Sequence, residues 1–283
     1  MLGVIGGTGV YALDQLGNSR EITVSTPFGQ PSGPIVIGTI GALEVAFLAR
    51  HGVHHQYSPT NLPYQANMYA LKSLGVTHVL AVSAVGSLRE DLPPRTRVLP
   101  DQILDRTNTR PRTFFDAGIV AHVGLADPFC ESFRLHVAAA ATAAGAPVEL
   151  NGTYVCIEGP QFSTRAESHL YRSWGASVIG MTAMPEARLA REAECCYAVL
   201  ALVTDYDVWH EAEDDVTVEV VVGHLRANAA AAASIIRRVA ESGLPSGVCA
   251  CSRALDNAVI THAEANTPEQ RSRLGVIGDR VLG

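Results

Sequence analysis

Two aspartates stand two positions apart in Asp205-Tyr206-Asp207, directly after an apolar run. Side chains at positions i and i+2 of an extended strand point to the same side, so these two carboxyls are expected to lie close together. Neighbouring carboxyls can share a proton, which raises the pKa of one of them into the range of a general acid. The alternatives are a loop of solvated acids and a pair of ligands for a divalent metal.

A second set of residues suits a small anion. It contains one guanidinium, one imidazole and several neutral donors, and it consists of Thr8, Arg50, His51, Ser83, Ala84 and Thr182. Arginine forks onto phosphate oxygens, and a glycine-rich turn such as Gly6-Gly7-Thr8-Gly9 lets backbone N–H groups approach a phosphate. The set therefore predicts that inorganic phosphate or a phosphate ester is bound without a metal. The ordinary alternatives are a tight turn at the glycines and a surface ion pair at Arg50.

The histidines and cysteines do not predict a metal site. His51 and His55 are four residues apart, but Gly52 lies between them and no H-E-x-x-H carboxylate follows. Cys249-Ala250-Cys251 forms a Cys-x-Cys motif, and a zinc site would need two further ligands. Because no Cys or His pair stands beside the motif, we expect two reduced thiols there and no metal.

These residues require a sheet that brings the ends of several strands together. Short apolar runs alternate with stretches of helical periodicity, which predicts an α/β fold with a largely parallel or mixed sheet. The predicted strands cover residues 2–5, 35–40, 43–48, 79–82, 153–157, 178–179 and 197–204. The predicted helices cover residues 64–74, 133–144, 164–174, 185–194 and 218–242. Six strands are followed by small polar clusters, and we expect these clusters to converge on one rim of the sheet.

Composition limits the class of protein. The chain has 283 residues and a net charge of -7, with 47% hydrophobic and 17% charged residues, which is typical of a globular core. No basic stripe is present, so neither polymeric nucleic acid nor a membrane surface is an expected partner. No targeting segment or membrane-spanning run is visible, and the cytoplasm is the expected location. No linker separates domains. The more polar residues 244–283 are expected to form a helical tail.

A series of ordered motifs resembles a known family. The motifs are Ile5-Gly6-Gly7-Thr8-Gly9, Thr26-Pro27-Phe28-Gly29, Ala49-Arg50-His51-Gly52, Tyr64-Gln65-Ala66-Asn67, the run Ile157-Glu158-Gly159-Pro160-Gln161-Phe162-Ser163-Thr164-Arg165-Ala166-Glu167-Ser168, Met181-Thr182 and Thr204-Asp205-Tyr206-Asp207. From about residue 2 to about residue 242, the chain is similar to the 5'-methylthioadenosine phosphorylases of the trimeric purine nucleoside phosphorylase family. The resemblance implies one three-layer domain over residues 1–283, with a central mixed β-sheet flanked by helices.

The resemblance also implies an activity. The expected reaction is phosphorolysis of 5'-methylthioadenosine to adenine and 5-methylthioribose 1-phosphate. It needs no metal or organic cofactor, and inorganic phosphate is a co-substrate. The expected assembly is a homotrimer or a dimer of trimers. By analogy with members that carry a C-terminal Cys-x-Cys, disulfides between this motif and Cys195 or Cys196 are a further implication.

The resemblance assigns residues to three parts of the site. Phosphate would be held by Thr8, Arg50, His51, Ser83, Ala84 and Thr182. Met181 would lie against the ribose, with Phe162 and Ser163 beside the base. Asp205 would act at N7 as the general acid, and Asp207 would accept a hydrogen bond from the 6-amino group. The pocket for the 5' substituent would be lined by Val218, Val221 and, from a neighbouring subunit, His122.

The residues at the base and at the 5' position bear on which nucleoside is the substrate. A carboxylate at Asp207 suits an exocyclic amine and repels a 6-carbonyl, which favours adenine over hypoxanthine. The alternatives are a phosphorylase for methylthioinosine or for another 5'-substituted adenosine, a hydrolase, and a non-catalytic nucleoside-binding protein. Three positions depart from the common family pattern: Gln161 replaces Arg, Gly180 replaces Asn, and Ser83 replaces Thr.

Overall fold

A computed structural model of the chain describes residues 1–7, 16–210, 218–247 and 249–282. Within residues 218–227 it describes the backbone, together with the side chain of His224. In these ranges, eleven strands form one mixed sheet. They are β1 (Leu2–Gly6), β2 (Gly17–Ile22), β3 (Ile35–Ile40), β4 (Leu43–Ala49), β5 (His78–Ser87), β6 (Arg97–Leu99), β7 (Gln102–Arg106), β8 (Glu149–Leu150), β9 (Thr153–Ile157), β10 (Val178–Gly180) and β11 (Cys196–Asp205).

The sheet is ordered β2-β3-β4-β1-β5-β10-β9-β7, and β11, β6 and β8 branch from β5. The predicted hairpin is present as the antiparallel pair β3 and β4, in which Ile40 faces Leu43 across Gly41. Gly41 has a φ of 60°, a left-handed conformation that glycine adopts without steric cost. Strand β1 pairs in parallel with both β4 and β5, so the ends of these three strands lie side by side.

Helices cover both faces of the sheet and give the expected three layers. They are α1 (Tyr64–Ser73), α2 (Glu131–Ala143), α3 (Arg165–Ser173), α4 (Ala183–Glu192), α5 (Val218–Glu241), α6 (Pro268–Leu274) and α7 (Asp279–Leu282). Successive side chains of β11 point alternately into two hydrophobic cores, one on each face of the sheet. Tyr197, Val199 and Ala201 pack with α1 and α4, whereas Ala198, Leu200 and Leu202 pack with α2 and α5. None of the helices in the described ranges is both long and apolar enough to span a bilayer.

Strand β5 extends beyond the predicted residues 79–82. It pairs in parallel with β11 through Leu202↔Ala84 and Val203↔Val85. Its last residues also pair with β10, as in Ile179↔Gly86. Because residues 83–87 have backbone partners on neighbouring strands, the strand continues through them. The prediction that Ser83 and Ala84 follow the strand is therefore wrong: they lie within it.

The strands around the candidate site do not all end on the same rim. Strand β10 runs antiparallel to β5 and parallel to β9. The segments that follow β9 and β10 therefore approach β5 from the direction opposite to those that follow β1, β4 and β11. They meet over the middle of β5, where the Thr182 hydroxyl lies 3.2 Å from that of Ser83. The polar clusters do converge, but the expectation of one common rim is wrong.

The C-terminal residues pack against the rest of the chain. Leu274 and Ile277 are buried in the core that contains α1 and α4. Arg280 forms ion pairs with Glu194, at the end of α4, and with Asp256. The Cys-x-Cys motif lies at the opposite core, with Cys251 buried beside α2 and α5. The tail thus contacts both helical layers.

Candidate active site

A cavity of about 540 Å³ lies over the later residues of β5 and β11. It is lined by nine of the residues that the sequence singled out, namely Arg50, His51, Ser83, Ala84, Phe162, Met181, Thr182, Asp205 and Asp207. These residues come from segments spread over more than half of the chain. Their meeting in one cavity is what the fold contributes to the site.

Of the other predicted site residues, two lie outside the cavity lining and three cannot be placed from the described part of the chain. Thr8 lies outside the described residues, and so do the side chains of Val218 and Val221. Ser163 is near the cavity in sequence but does not line it, and its hydroxyl is buried without a hydrogen-bond partner among the described residues. His122 is exposed and lies outside the lining.

His51 and two hydroxyls form one end of the cavity, which we call the phosphate end. Nδ1 of His51 lies 2.9 Å from the carbonyl of Tyr57. A carbonyl can only accept, so Nδ1 carries the proton and Nε2 keeps its lone pair. Burial and the charge of Arg50 lower the pKa of His51 to about 4, so the ring is neutral at pH 7. Such a ring can accept a hydrogen bond from a protonated phosphate oxygen.

Arg50 is 1% exposed, so the alternative of a surface ion pair is wrong. Its expected role as a phosphate ligand stays a prediction, and Arg50 lines the cavity. Its guanidinium bonds both oxygens of Glu186, at 2.6 and 3.2 Å, and the carbonyl of Val82 at 2.9 Å. Glu186 also accepts a hydrogen bond of 2.9 Å from Tyr197. Arg50 therefore links β5 to α4 through hydrogen bonds behind the cavity. Only part of its guanidinium group is left to contact a ligand.

Asp205 and Asp207 form the other end of the cavity, which we call the base end. Asp205 accepts two hydrogen bonds, from the Thr204 hydroxyl at 2.7 Å and from the backbone N–H of Asp207 at 2.8 Å. Oδ2 of Asp207 is buried and has no hydrogen-bond partner among the described residues. Burial, together with the charge of Asp205, raises the pKa of Asp207 to about 6.

The backbone at the base end is not the simple strand extension that the sequence predicts. The register with β5 shifts between Val203 and Asp205, and Asp207 has a left-handed φ of 53°. Both carboxyls still reach the cavity because the chain turns there. Gly86 on β5 leaves the necessary room, since a Cβ at that position would lie 2.8 Å from Oδ1 of Asp205.

Arg110 is a positioning residue that the sequence did not single out. Its Nη1 donates to the carbonyls of Met181 and Met184, both at 2.6 Å, and its Nη2 donates to that of Glu158. It thus fixes the segment after β9 against the segment after β10, and both segments line the cavity. The only signal in the sequence was the group of three arginines between residues 106 and 112.

Tyr154 packs against Gly180, one of the three positions at which the sequence is expected to depart from the family pattern. Gly180 stands where many members have Asn, and the Tyr154 hydroxyl occupies the space that a Cβ at Gly180 would need. Tyr154 is fully buried, and its hydroxyl lies 3.4 Å from that of Ser83. The pair Tyr154 and Gly180 therefore places a phenol behind the phosphate end. No local spacing links residues 154 and 180, so this pairing could not be predicted from the sequence.

The histidine pair and the carboxyl pair each lack a third metal-binding side chain close by among the described residues. His51 and His55 stack with ring centroids 4.4 Å apart. No group of three or more metal-binding side chains in the described ranges includes them or the two aspartates. The cavity offers hydroxyls, a neutral imidazole, a paired guanidinium and two carboxyls, which suits a nucleoside and an anion.

A family model for the phosphorylase superfamily matches residues 1–241. The chain belongs to the phosphorylase superfamily. It is 51% identical to the S-methyl-5'-thioadenosine phosphorylase of Geobacter sulfurreducens over 278 residues, which cover 98% of this chain and 97% of the relative. It is also 51% identical to the enzyme of that name from Thermosynechococcus vestitus, with 99% of each chain covered.

Solved structures of superfamily members have the same fold. A methylthioadenosine phosphorylase from an antarctic soil metagenomic library has a TM-score of 0.91 and 46% identity, with 98% of each chain covered. A methylthioadenosine phosphorylase from Schistosoma mansoni, in complex with adenine, has a TM-score of 0.81 and 36% identity over 84% of this chain and 90% of that one. These findings confirm the family that the motifs predicted and its mixed α/β fold.

Proposed function

We propose that this phosphorylase cleaves S-methyl-5'-thioadenosine with inorganic phosphate, giving adenine and 5-methylthioribose 1-phosphate. The observation that carries the proposal is the shared cavity, which has neutral donors and a neutral imidazole at one end and a protonatable carboxyl pair at the other. The names of the relatives support it. The reaction needs no metal or organic cofactor.

The reaction breaks one bond and forms one. The electrons of the N9–C1' bond leave with adenine, and positive charge develops on the ribose. A phosphate oxygen then bonds to C1' from the opposite face. Phosphate stabilises the developing cation because it is fixed and negatively charged. Ser83, Ala84, His51 and Thr182 would hold it, with Arg50 behind them and Thr8 as a further donor.

The carboxyl pair would relieve the charge on the departing base. Asp205 is proposed to act at N7 and Asp207 to accept from the 6-amino group. The raised pKa of Asp207, about 6, allows the pair to hold one proton in weakly acidic solution. With adenine bound, that proton would lie on Asp205 while Asp207 accepts from the amine, and the buried Oδ2 of Asp207 is suited to such a ligand. Protonation of N7 makes adenine a neutral leaving group, which lowers the barrier to cleavage.

The remaining contacts set substrate choice. Phe162 and Ser163 would lie by the base and Met181 against the ribose, while Val218 and Val221 would contact the 5' thioether. A hydroxyl in such an apolar pocket carries a desolvation cost of roughly 1–3 kcal/mol. The carboxylate of Asp207 favours adenine over hypoxanthine. Methylthioinosine or another 5'-substituted adenosine is the alternative substrate.

A homotrimer, or a dimer of trimers, would complete the 5' pocket. His122 is exposed and does not reach the cavity of its own chain, as expected for a residue that serves a neighbour. Val120 and Ile260, which are 39% and 57% exposed, lie beside it and are joined by a backbone hydrogen bond of 3.0 Å. Burial of these side chains would favour association there. The proposed location is the cytoplasm.

Product release tests the proposal directly. The enzyme is incubated with methylthioadenosine, methylthioinosine or adenosine, with and without phosphate, and the free base and sugar phosphate are quantified. We expect adenine release from methylthioadenosine to require phosphate and to yield the sugar 1-phosphate in equal amount. Equal adenine release without phosphate would indicate a hydrolase. Faster turnover of methylthioinosine would overturn the assignment of adenine.

A further inference from the structure

Four cysteines that are far apart in sequence meet at one point, remote from the active site. Their sulfurs, from Cys130, Cys196, Cys249 and Cys251, all lie within 4.8 Å of one another. The Sγ atoms of Cys130 and Cys249 are 3.5 Å apart. Three of the four side chains are buried, with 3–4% exposure, and Cys249 is half-buried. We call this group the thiol cluster.

From these positions we propose that the thiol cluster is a structural site for one zinc ion, bound by four thiolates. Zinc takes four sulfur ligands in a tetrahedron with Zn–S distances of about 2.3 Å, which makes each S–S edge about 3.8 Å. The four sulfurs lie within 4.8 Å of one another, and the one pair at 3.5 Å is near this edge length, so they are close enough to share one zinc ion. The two ligands that the Cys-x-Cys motif lacks in its own neighbourhood come from the start of β11 and from the residue before α2.

The separations do not match disulfides. A disulfide places its sulfurs about 2.05 Å apart, and none of the six cysteines is bonded in this way. The disulfide partners suggested by the resemblance were Cys195 and Cys196. Cys196 belongs to the thiol cluster, but Cys195 points to the opposite face of β11, where its thiol contacts the carbonyl of Val76. Cys130 was not among the expected partners.

The surroundings of the thiol cluster favour bound thiolates. Four thiolates and one Zn²⁺ leave two negative charges in a buried place. Cys130 is the residue immediately before the 13-residue helix α2, whose N-terminus carries partial positive charge. The four protein ligands leave no open position for a substrate, which is the pattern of a structural site.

The position of the site indicates what zinc would do. Cys196 and Asp205 stand at opposite ends of β11, about 30 Å apart along the strand. The metal would therefore not take part in phosphorolysis. Instead it would fasten the chain after α5 to the start of β11 and to α2. Because zinc binds the folded arrangement, its removal should lower the stability of the fold.

Metal analysis of the purified full-length enzyme is the first test. The protein is prepared with a phosphine reductant from cells grown with zinc, dialysed against metal-free buffer and analysed for all first-row metals by plasma mass spectrometry. We expect about one zinc per chain, as the site has four ligands. Metal-free protein with six titratable thiols, protein with fewer thiols because of disulfides, or iron in the same ratio would each overturn the assignment.

Variants and cobalt substitution sharpen the test. Cys249→Ser and Cys251→Ser should lose the bound zinc and melt several degrees lower, and a strong chelator should produce the same shift in the parent. Cys195→Ser is the matched control, since it removes a neighbouring buried thiol that faces away, and it should retain the metal. Reconstitution of the unmutated chain with Co²⁺ should give thiolate charge-transfer bands and intense tetrahedral d–d bands. A weak octahedral spectrum would contradict the site even if a variant failed to fold.

Discussion

The two ends of the cavity differ in how their polar groups are satisfied. At the phosphate end, Arg50 is bonded to Glu186, His51 to Tyr57, and the Ser83 hydroxyl lies against that of Thr182. At the base end, Asp207 keeps a buried oxygen without a hydrogen-bond partner among the described residues. The polar groups of the phosphate end are thus paired within the chain, whereas Oδ2 of Asp207 at the base end is buried near the Ser168 hydroxyl and is available to a ligand. Substitutions at the two ends should accordingly affect different properties.

The largest effect is expected from the base end, on rate. Asp205→Asn removes the proposed acid at N7 and should lower turnover by about 10²–10⁴-fold. The free energy of unfolding should change far less, because the amide oxygen can still accept from the backbone N–H of Asp207 and the amide NH2 can donate to the Thr204 hydroxyl. Steady-state kinetics and thermal unfolding measure the two quantities. Asp279→Asn, at an exposed carboxyl outside the site, is the control. Near-full activity of Asp205→Asn would remove this role from Asp205.

Glu186→Ala should show the opposite behaviour at the phosphate end. It leaves the buried guanidinium of Arg50 without its partner, which costs about 3–5 kcal/mol in the free energy of unfolding. Chemical denaturation measures this cost. Glu44→Ala serves as the comparison, since Glu44 pairs with Arg20 at 3.9 Å on the exposed surface and its loss should cost under about 1 kcal/mol. Equal costs for the two variants would refute the view that the phosphate end is a preformed buried network.

The raised pKa of Asp207 predicts a pH dependence at the base end. Its carboxyl is protonated below about pH 6, and its protonated fraction falls as the pH rises through that value. If the pair must hold a proton, kcat/KM for methylthioadenosine at saturating phosphate should fall about tenfold per pH unit above about pH 6. Asp207→Asn cannot titrate and should lose this limb of the profile. A kcat/KM that increases over the same range would contradict the proton on the pair.

The smallest effect is expected from Tyr154→Phe, which deletes one hydroxyl behind the phosphate end. A single hydrogen bond contributes about 1 kcal/mol, so KM for phosphate should rise by about fivefold, with little change in kcat. Gly180→Ala tests the same contact from the other side, because its Cβ would need the space of the Tyr154 hydroxyl. Combining the two changes should cost less than the sum of the separate effects. Strict additivity would show that the two residues act independently.

The sequence predicted the helices and strands, and the residue types at the site, better than it predicted which distant residues contact one another. The hairpin of β3 and β4 follows from two apolar runs around Gly41. Helix α3 begins directly after its N-cap Thr164, whose side chain forms a capping box with Glu167. Such features depend on neighbours in sequence. The length of β5 depends instead on pairing with β10 and β11, and its residues 83–87 look like a loop when considered alone.

Contacts between residues that are distant in sequence also limited the prediction of the cavity and of the thiol cluster. Asp205, His51 and Thr182 were found because each follows an apolar run and belongs to a recognisable motif. Glu186, Arg110 and Tyr154 were missed because their roles depend on contacts with Arg50, Met184 and Gly180, which lie 26 to 136 positions away. The thiol cluster was missed for the same reason, since Cys130 and Cys196 stand far from Cys249. Long-range contacts between side chains leave no local pattern.

The bonds made by Arg110 have a consequence for how this enzyme could change. The guanidinium holds the segments after β9 and β10 through backbone carbonyls, including those of Met181 and Met184. Every residue supplies a carbonyl, so replacing Met181 leaves the tether in place. The backbone that frames the cavity is thereby held independently of the Met181 side chain, which is proposed to lie against the sugar. Evolution or a protein engineer can therefore exchange the side chain at position 181 to alter substrate range without rebuilding the loop that carries it.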